Sequence, residues 1–467
     1  MKKSFTGLIF IVCMAFAVSA LAWPSVYPTG TTVYDPQKAY NGYTLIHGPG
    51  PKGKAVAEPY KNPGKYYLID MNGSVVHEWT IPYRAQHAVL LPTGNILMNC
   101  NDGKVLPGRP GFPPFHLGAA LGWLYELDWD GNEVFKYFDP NMHHDFDKLE
   151  NGNYIYLGFE QVPKELQKKV RGGRKGSEHP GGVMWNDYIA EVTSQGKEVW
   201  RWSANDHFDP DIDIIGPLYG RNEWGHSNDV DGMENGNIIF DAKHTDTVYI
   251  IDKKTKKIIW RWGASFKLDK ETGRLEYRGG KGVDDALGGM HAAYEIQTGF
   301  PGAGNIMLYD NGVYAGKSRA VEVDIKTNKV AWDSRPPGKG GKSRGHFSEA
   351  ISNAERLPNG NTIICSGNNA RYFEITPQKQ VVWEFVSPYA DSAFRVHRYG
   401  PDYCPQFKDL PPARGPAVVM PDVNSFRMPA AAVAKAPPPG GDKGGPPPGG
   451  KKGPPPGGKK GPKGGKK

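Results

Sequence analysis

Three loops of this 467-residue chain carry histidines a short way ahead of a Gly-Asn turn. They read NMHHDFDKLENGN with His143 and His144, EWGHSNDVDGMENGN with His226, and GGMHAAYEIQTGFPGAGN with His291. An imidazole alone is ordinarily a packing or hydrogen-bonding residue. Three at equivalent places of a circular repeat would converge, and converging imidazoles can serve as nucleophile, proton carrier and anion ligand. Asn228, two residues after His226, could orient an imidazole or bond within its loop. His87, in AQHAVLLPTGN, sits one position closer to its turn, and side-chain alternation along a strand sets it apart from the others.

The elements that must position these loops are short strands. A β-branched run ending in an aromatic residue recurs at Trp79, Phe135, Trp200, Trp260, Trp332 and Trp383. After each of the first five comes a turn and strand: PTGNILM, ENGNYIYL, ENGNIIF, GAGNIML and PNGNTII. The partner missing after the sixth lies at the other end of the chain, in YNGYTLI. A third element, such as YYLIDMNG or AVEVDIKT, precedes every aromatic run. About four strands per repeat and a displaced terminal strand predict an all-β fold, a six-bladed β-propeller closed by an N-terminal strand.

The ends read differently. MKKSFTGLIFIVCMAFAVSALA has two lysines, a short apolar run and a small-residue site after Ala22. Residues 1–22 are expected to be a signal peptide, which sends the protein to the periplasm or outside the cell. The domain is then 23–427, followed by a Pro/Gly/Lys-rich tail at 428–467 that cannot bury a core and is expected to be disordered. From Lys435 onward the tail holds nine Lys and one Asp, enough to account for the whole net charge of +8. The domain is near neutral, so no nucleic-acid partner is expected. The tail could contact an anionic envelope surface or simply solubilise the chain. Cys100, Cys365 and Cys404 form no CxxC pair and identify no disulfide.

Other motifs dissolve. DWDGNE at 128–133 is explained by a hairpin turn better than by a calcium loop. GGRKG near residue 174 lacks the ending of a phosphate-binding loop and reads as a loop. Lys168, Lys169, Arg171, Arg174 and Lys175, in the longest interruption of the repeat, form either a solvated loop or a basic lid over an anionic substrate.

RNEWGHSNDV, TVYIIDKKTKKIIWRWG, GGMHAAYEI, MLYDNG, SRAVEVDIKT and RLPNGNTIICSG, with YDPQKAYNGYTLI near the start, together resemble the bacterial arylsulfate sulfotransferases. The resemblance spans nearly the whole domain in order. It implies a periplasmic six-bladed propeller that moves a sulfuryl group from an aryl sulfate donor to a phenolic acceptor without PAPS. The matching positions make His291 the nucleophile and His226 a second catalytic histidine. A third falls in the HHD loop, on His144 or on its neighbour His143. A family arginine corresponds to Lys243, which keeps the charge but loses the bidentate fork. Such chemistry calls for no metal and no cofactor. Two rivals are a quinoprotein-like propeller, typically eight-bladed, and a non-catalytic propeller that binds envelope ligands.

Overall fold

A computed structural model describes residues 29–49, 58–101, 121–179, 181–279, 284–335 and 347–419. The expected leader and tail lie outside the described residues. The strands form six antiparallel blades. Blade 1 joins His397–Tyr399, Tyr43–His47, Gly64–Ile69 and Val75–Ile81. Blade 2 joins Arg84–Leu90, Ile96–Asn101, Gly122–Leu127 and Glu133–Phe138. Blade 3 joins Met142–Lys148, Tyr154–Gln161, Trp185–Val192 and Glu198–Ser203. Blade 4 joins Asp229–Gly232, Ile238–Ala242, Thr247–Ile251 and Ile258–Trp262. Blade 5 joins His291–Glu295, Ile306–Asp310, Arg319–Asp324 and Lys329–Asp333. Blade 6 joins Asn353–Arg356, Thr362–Ser366, Arg371–Ile375 and Val381–Val386, and takes Gly30–Tyr34 as a fifth strand.

The recurring residues are the ones that hold the blades together. Gly152, Gly236 and Gly304 have φ of 82°, 82° and 80°, and an added Cβ would meet nothing, so backbone conformation alone selects glycine there. The asparagine after that glycine donates to a buried glutamate on the third strand: Asn95 to Glu126 at 2.6 Å, Asn153 to Glu191 at 2.7 Å, Asn305 to Glu322 at 2.6 Å and Asn361 to Glu374 at 2.6 Å. The outer-strand aromatics fasten each blade to the next. Indole N–H groups reach the neighbouring blade from Trp79 to Asp128 O at 3.2 Å, Trp200 to Lys253 O at 3.0 Å, and Trp260 to Asn328 Oδ1 at 2.7 Å. Trp332 reaches Pro377 O at 3.1 Å and Trp383 reaches Met71 O at 2.8 Å. At the remaining seam Phe135 stacks on Tyr154 with centroids 4.1 Å apart. Second strands such as Ile238–Ala242 and Ile306–Asp310 are buried throughout, because neighbouring blades cover both faces.

Both chain ends close the ring. Gly30–Tyr34 pairs antiparallel with the outer strand of blade 6, as a closing N-terminal strand should. The strand behind Asn41-Gly42 pairs with His397–Tyr399, which makes it the downstream partner of the sixth repeat. Within the interruption at 160–187, Gly172–Arg174, expected to be loop, is a strand that runs parallel to Ile215–Gly220. Arg171 pairs with Asp211 and Lys168 with Glu165 at its surface. Asp128 and Asn132 close the hairpin turn expected at DWDGNE, with Asn132 N–H donating to Asp128 Oδ1 at 2.8 Å. The three cysteines are buried and free.

Arg398 clasps the closure. Its guanidinium donates to Thr44 Oγ1 at 2.6 Å, Tyr40 O at 2.9 Å and Glu374 Oε2 at 3.3 Å, all in the core. Replacing it strands the Glu374 carboxylate, so Arg398→Met should lower the unfolding free energy by about 3–5 kcal/mol in urea titration. A loss under about 1 kcal/mol would show that the ring does not depend on this pair.

Candidate active site

The inner strands of blades 3 to 5 begin with a kink. His144, His226 and Ala292 have φ of 41°, 54° and 58°, and the ladder slips register beside His143 and after His291. Such bulges re-aim side chains at a strand end. Here they turn imidazoles toward one another. The His144 ring meets His226 edge-on with centroids 4.8 Å apart. His226 lies flat on His244 at 4.7 Å, and His244 on Tyr219 at 4.7 Å. His291 joins them through Phe394, whose ring is 6.3 Å from both His291 and His144.

Hydrogen bonds assign the tautomers of His226 and His291. His143 is fully buried behind His144, stacked on Phe159 at 3.8 Å. Its Nε2 lies 3.3 Å from Asp187 Oδ1 without making a hydrogen bond to it. Its Nδ1 is 2.8 Å from His144 Nδ1, so one of the two rings donates to the other there. His226 Nδ1 donates to Glu223 Oε2 at 2.8 Å. His291 Nδ1 donates to Asn311 Oδ1 at 2.7 Å, and Asn311 is oriented by its own donations to Ser348 O at 2.7 Å and Ile351 O at 2.9 Å. That leaves His291 Nε2 with its lone pair, on which the Ile351 N–H rests at 3.1 Å. Ile351 itself holds φ of 52°, a strained value for a β-branched residue.

The imidazoles are neutral. Burial first, then the Lys243 charge, pushes His226 down to about 3. The same two causes hold His291 well below its ordinary range, and burial and the neighbouring imidazoles do so for His144. Lys243 follows the second strand of blade 4, with its backbone N–H on His226 O at 3.2 Å. Its half-buried ammonium makes no ion pair or hydrogen bond among the described residues, and burial lowers its pKa.

Asn228 reaches across a seam. It ties blade 4 to blade 5, its amide donating to Met290 O at 3.3 Å beside the candidate nucleophile. The axis continues beyond the cluster in another network. Asp145 bonds His87 at 3.0 Å, His87 bonds His397 at 3.0 Å, and His397 meets Glu355 at 3.2 Å. Arg395 pairs with Asp145 at 2.9 Å and Asp229 at 2.7 Å. Of the cations in the interrupting loop, Lys168 and Arg171 pair with Glu165 and Asp211. His244, Glu223, Asn311 and Phe394 were not singled out from sequence. Glu223 and Asn311 lie inside EWGHSN and MLYDNG, three residues before a histidine and at a strand end. Phe394 carries no local signal at all.

A closed propeller with neutral imidazoles and one unpaired cation gathered at its axis has the equipment of a group-transfer enzyme that handles anions. Residues 34–398 match the family model for Arylsulfotransferase (ASST), and the chain belongs to that enzyme family. No curated protein matches the sequence. Among solved structures, a Bacteroides caccae protein of unknown function is 12% identical with a TM-score of 0.43, over 76% of this chain and 98% of its own. The periplasmic gluconolactonase of Pseudomonas aeruginosa is 12% identical with a TM-score of 0.41, over 77% and 99%. Virginiamycin B lyase from Staphylococcus aureus is 9% identical with a TM-score of 0.36, over 75% and 90%. These likenesses are too distant to inform the assignment.

His244 is held at about 3 by burial and then by His226, against 6.5 for a free imidazole. Between those values the unfolded chain binds a proton that the folded protein refuses, so this residue costs stability as pH falls below about 6.5. In His244→Gln the amide can still donate to Glu223 O but cannot titrate. Whatever deficit the variant has at pH 7.5 should therefore shrink by about 2 kcal/mol at pH 5 in urea titration. An unchanged gap would mean that His244 is already charged in the folded protein.

Proposed function

We propose that the protein transfers a sulfuryl group between phenols by a ping-pong reaction through a sulfohistidine on His291, independently of PAPS. The observation that carries this reading is the His291 tautomer. Asn311 holds the proton on Nδ1, so the Nε2 nitrogen keeps its lone pair, met by the Ile351 N–H, in a cluster where Lys243, His226 and His144 lie close enough to act on one another's charge. A neutral amide behind the ring, in place of a carboxylate, keeps the imidazole uncharged and nucleophilic.

In the first step Nε2 attacks sulfur in line, the S–O bond breaks, and the leaving phenolate takes its electrons. The Ile351 N–H must leave Nε2 as that lone pair forms the N–S bond, and a sulfuryl oxygen is the acceptor then nearest to it. Lys243 and a protonated His226 balance the remaining oxygens, with Glu223 stabilising the imidazolium. In the second step the acceptor phenol gives its proton to His144 as its oxygen attacks sulfur and the N–S bond breaks. His143 and Asp187 behind that ring orient it and support the charge it acquires. The transition state is loose by analogy with phosphoryl transfer, so fixed geometry and positive charge supply most of the rate. A signal peptide at 1–22 would place this reaction in the periplasm or outside the cell, with the basic tail against an anionic envelope surface.

One observation favours a second reading, binding without turnover: Lys243 replaces the family arginine while a backbone N–H occupies the nucleophile. The test is transfer from 4-nitrophenyl sulfate to phenol, run beside His291→Ala. Phenol-dependent nitrophenolate release that the variant lacks supports the transferase, and no turnover across many donors supports the binder. Lys243→Ala should lower kcat by about 100-fold or more, as for loss of an oxyanion donor. Because His226 is neutral when free and charged over a bound sulfate, donor binding should take up a proton and tighten as pH falls. Calorimetry in buffers of different ionisation enthalpy reads that uptake, and heats independent of buffer would exclude it.

A further inference from the structure

A sulfohistidine can react with water as readily as with a phenol, and water is always in excess. A transferase therefore needs a dry face behind the intermediate. The axis behind this cluster is far from dry in character. It holds His87, Asp145, Asp229, Arg395 and His397, bonded as described above. Asp229 Oδ2, Asp241 Oδ2, Asn228 Oδ1 and Arg395 Nε are buried with no hydrogen-bond partner among the described residues. Buried polar atoms with unmet bonding capacity draw water.

Phe394 touches both sets of groups. Its ring centroid is 6.3 Å from His144 and 6.3 Å from His291, and 6.0 Å from His87 of the axial network. The Arg395 guanidinium lies 5.2 Å from the ring centroid, clamped by its two aspartates. The backbone is fixed as well: Phe394 O accepts the Ser352 N–H at 3.0 Å, and the Ala393 N–H donates to Gly367 O at 2.9 Å. With only 5% of its surface exposed, the ring has little freedom to swing away.

Resting on the sulfotransferase reading, we propose that Phe394 is the seal that commits the sulfohistidine to a phenolic acceptor by keeping axial water from sulfur. In transfer, the N–S bond breaks, the phenol oxygen bonds sulfur, and the phenol proton passes to His144. In the leak, water supplies the oxygen, its proton goes to the same base, and hydrogensulfate leaves with His291 restored.

The experiment uses the full chain with 4-nitrophenyl sulfate and phenol, measuring nitrophenolate, phenyl sulfate and inorganic sulfate together. Phe394→Ala should raise the ratio of inorganic sulfate to phenyl sulfate by about tenfold or more. Phe394→Leu, which keeps an apolar plug, should stay within about twofold of the parent protein. Phe394→Val gives an intermediate ratio and carries the test if the alanine variant does not fold. An unchanged ratio in a variant that still turns over overturns the seal, as does a folded variant that has lost turnover altogether. A parent protein that releases no nitrophenolate brings down the sulfotransferase reading itself, and the seal with it.

Discussion

Six inner strands, one from each blade, meet at the axis of this ring, and the side chains they place there are largely withdrawn from water. A charge placed there needs a partner, and a neutral polar group needs a hydrogen bond. The protein meets that demand in two ways along one line. In the network around Arg395, that guanidinium lies between Asp145 and Asp229, and imidazoles bridge carboxylates. The histidine cluster is filled differently: Lys243 makes no ion pair among the described residues, the carboxylates Glu223, Asp241, Asp246 and Glu349 act on it only from a distance, and burial keeps the imidazoles beside it neutral. An arriving sulfate ester would give Lys243 a charge to pair with. On the proposed reading, affinity for an anion would follow from how the axis is filled, and so would the uptake of a proton by His226 on binding.

Such a site works only if the blades hold still. The indole bonds from one blade to the next and the clasp at Arg398 fix the relative positions of strands far apart in sequence. The Asn-to-Glu bonds behind the turns do the same within a blade. His291 comes from blade 5, His226 from the entry to blade 4 and His144 from blade 3, so a small shift at any seam would misalign them. Placing the reactive groups on strand ends of a rigid scaffold, with orienting residues behind each, matches the tolerance that group transfer demands.

Much of this was legible in the chain. The turn glycines, the outer-strand tryptophans and the displaced first strand each answer to a local physical need, and together they specify the ring. The histidine loops could be placed at the axis because they precede inner strands. The tautomers could not be read, since they depend on Asn311 from another strand, on the Ile351 N–H of a strained backbone, and on a fold of the EWGHSN loop that brings Glu223 back onto His226. His143 and His144 are adjacent in sequence, and only the kink at His144 decides which ring lies behind the other. For Asn228 the sequence allowed an imidazole or a loop partner, and the bond its amide makes to Met290 O, next to His291, spans two blades and has no local signal. Phe394 lay beyond any motif, because its place is set by the segment that joins the last blade to the first.

The most direct test asks where the sulfuryl group rests between donor and acceptor. The protein would be mixed with 4-nitrophenyl sulfate without phenol, quenched at alkaline pH within one turnover, digested and mapped by mass spectrometry. The account predicts one sulfuryl group, on the peptide that contains His291. An adduct on the peptide of His226 or His144, or phenol-dependent turnover with no adduct at any time, would contradict it.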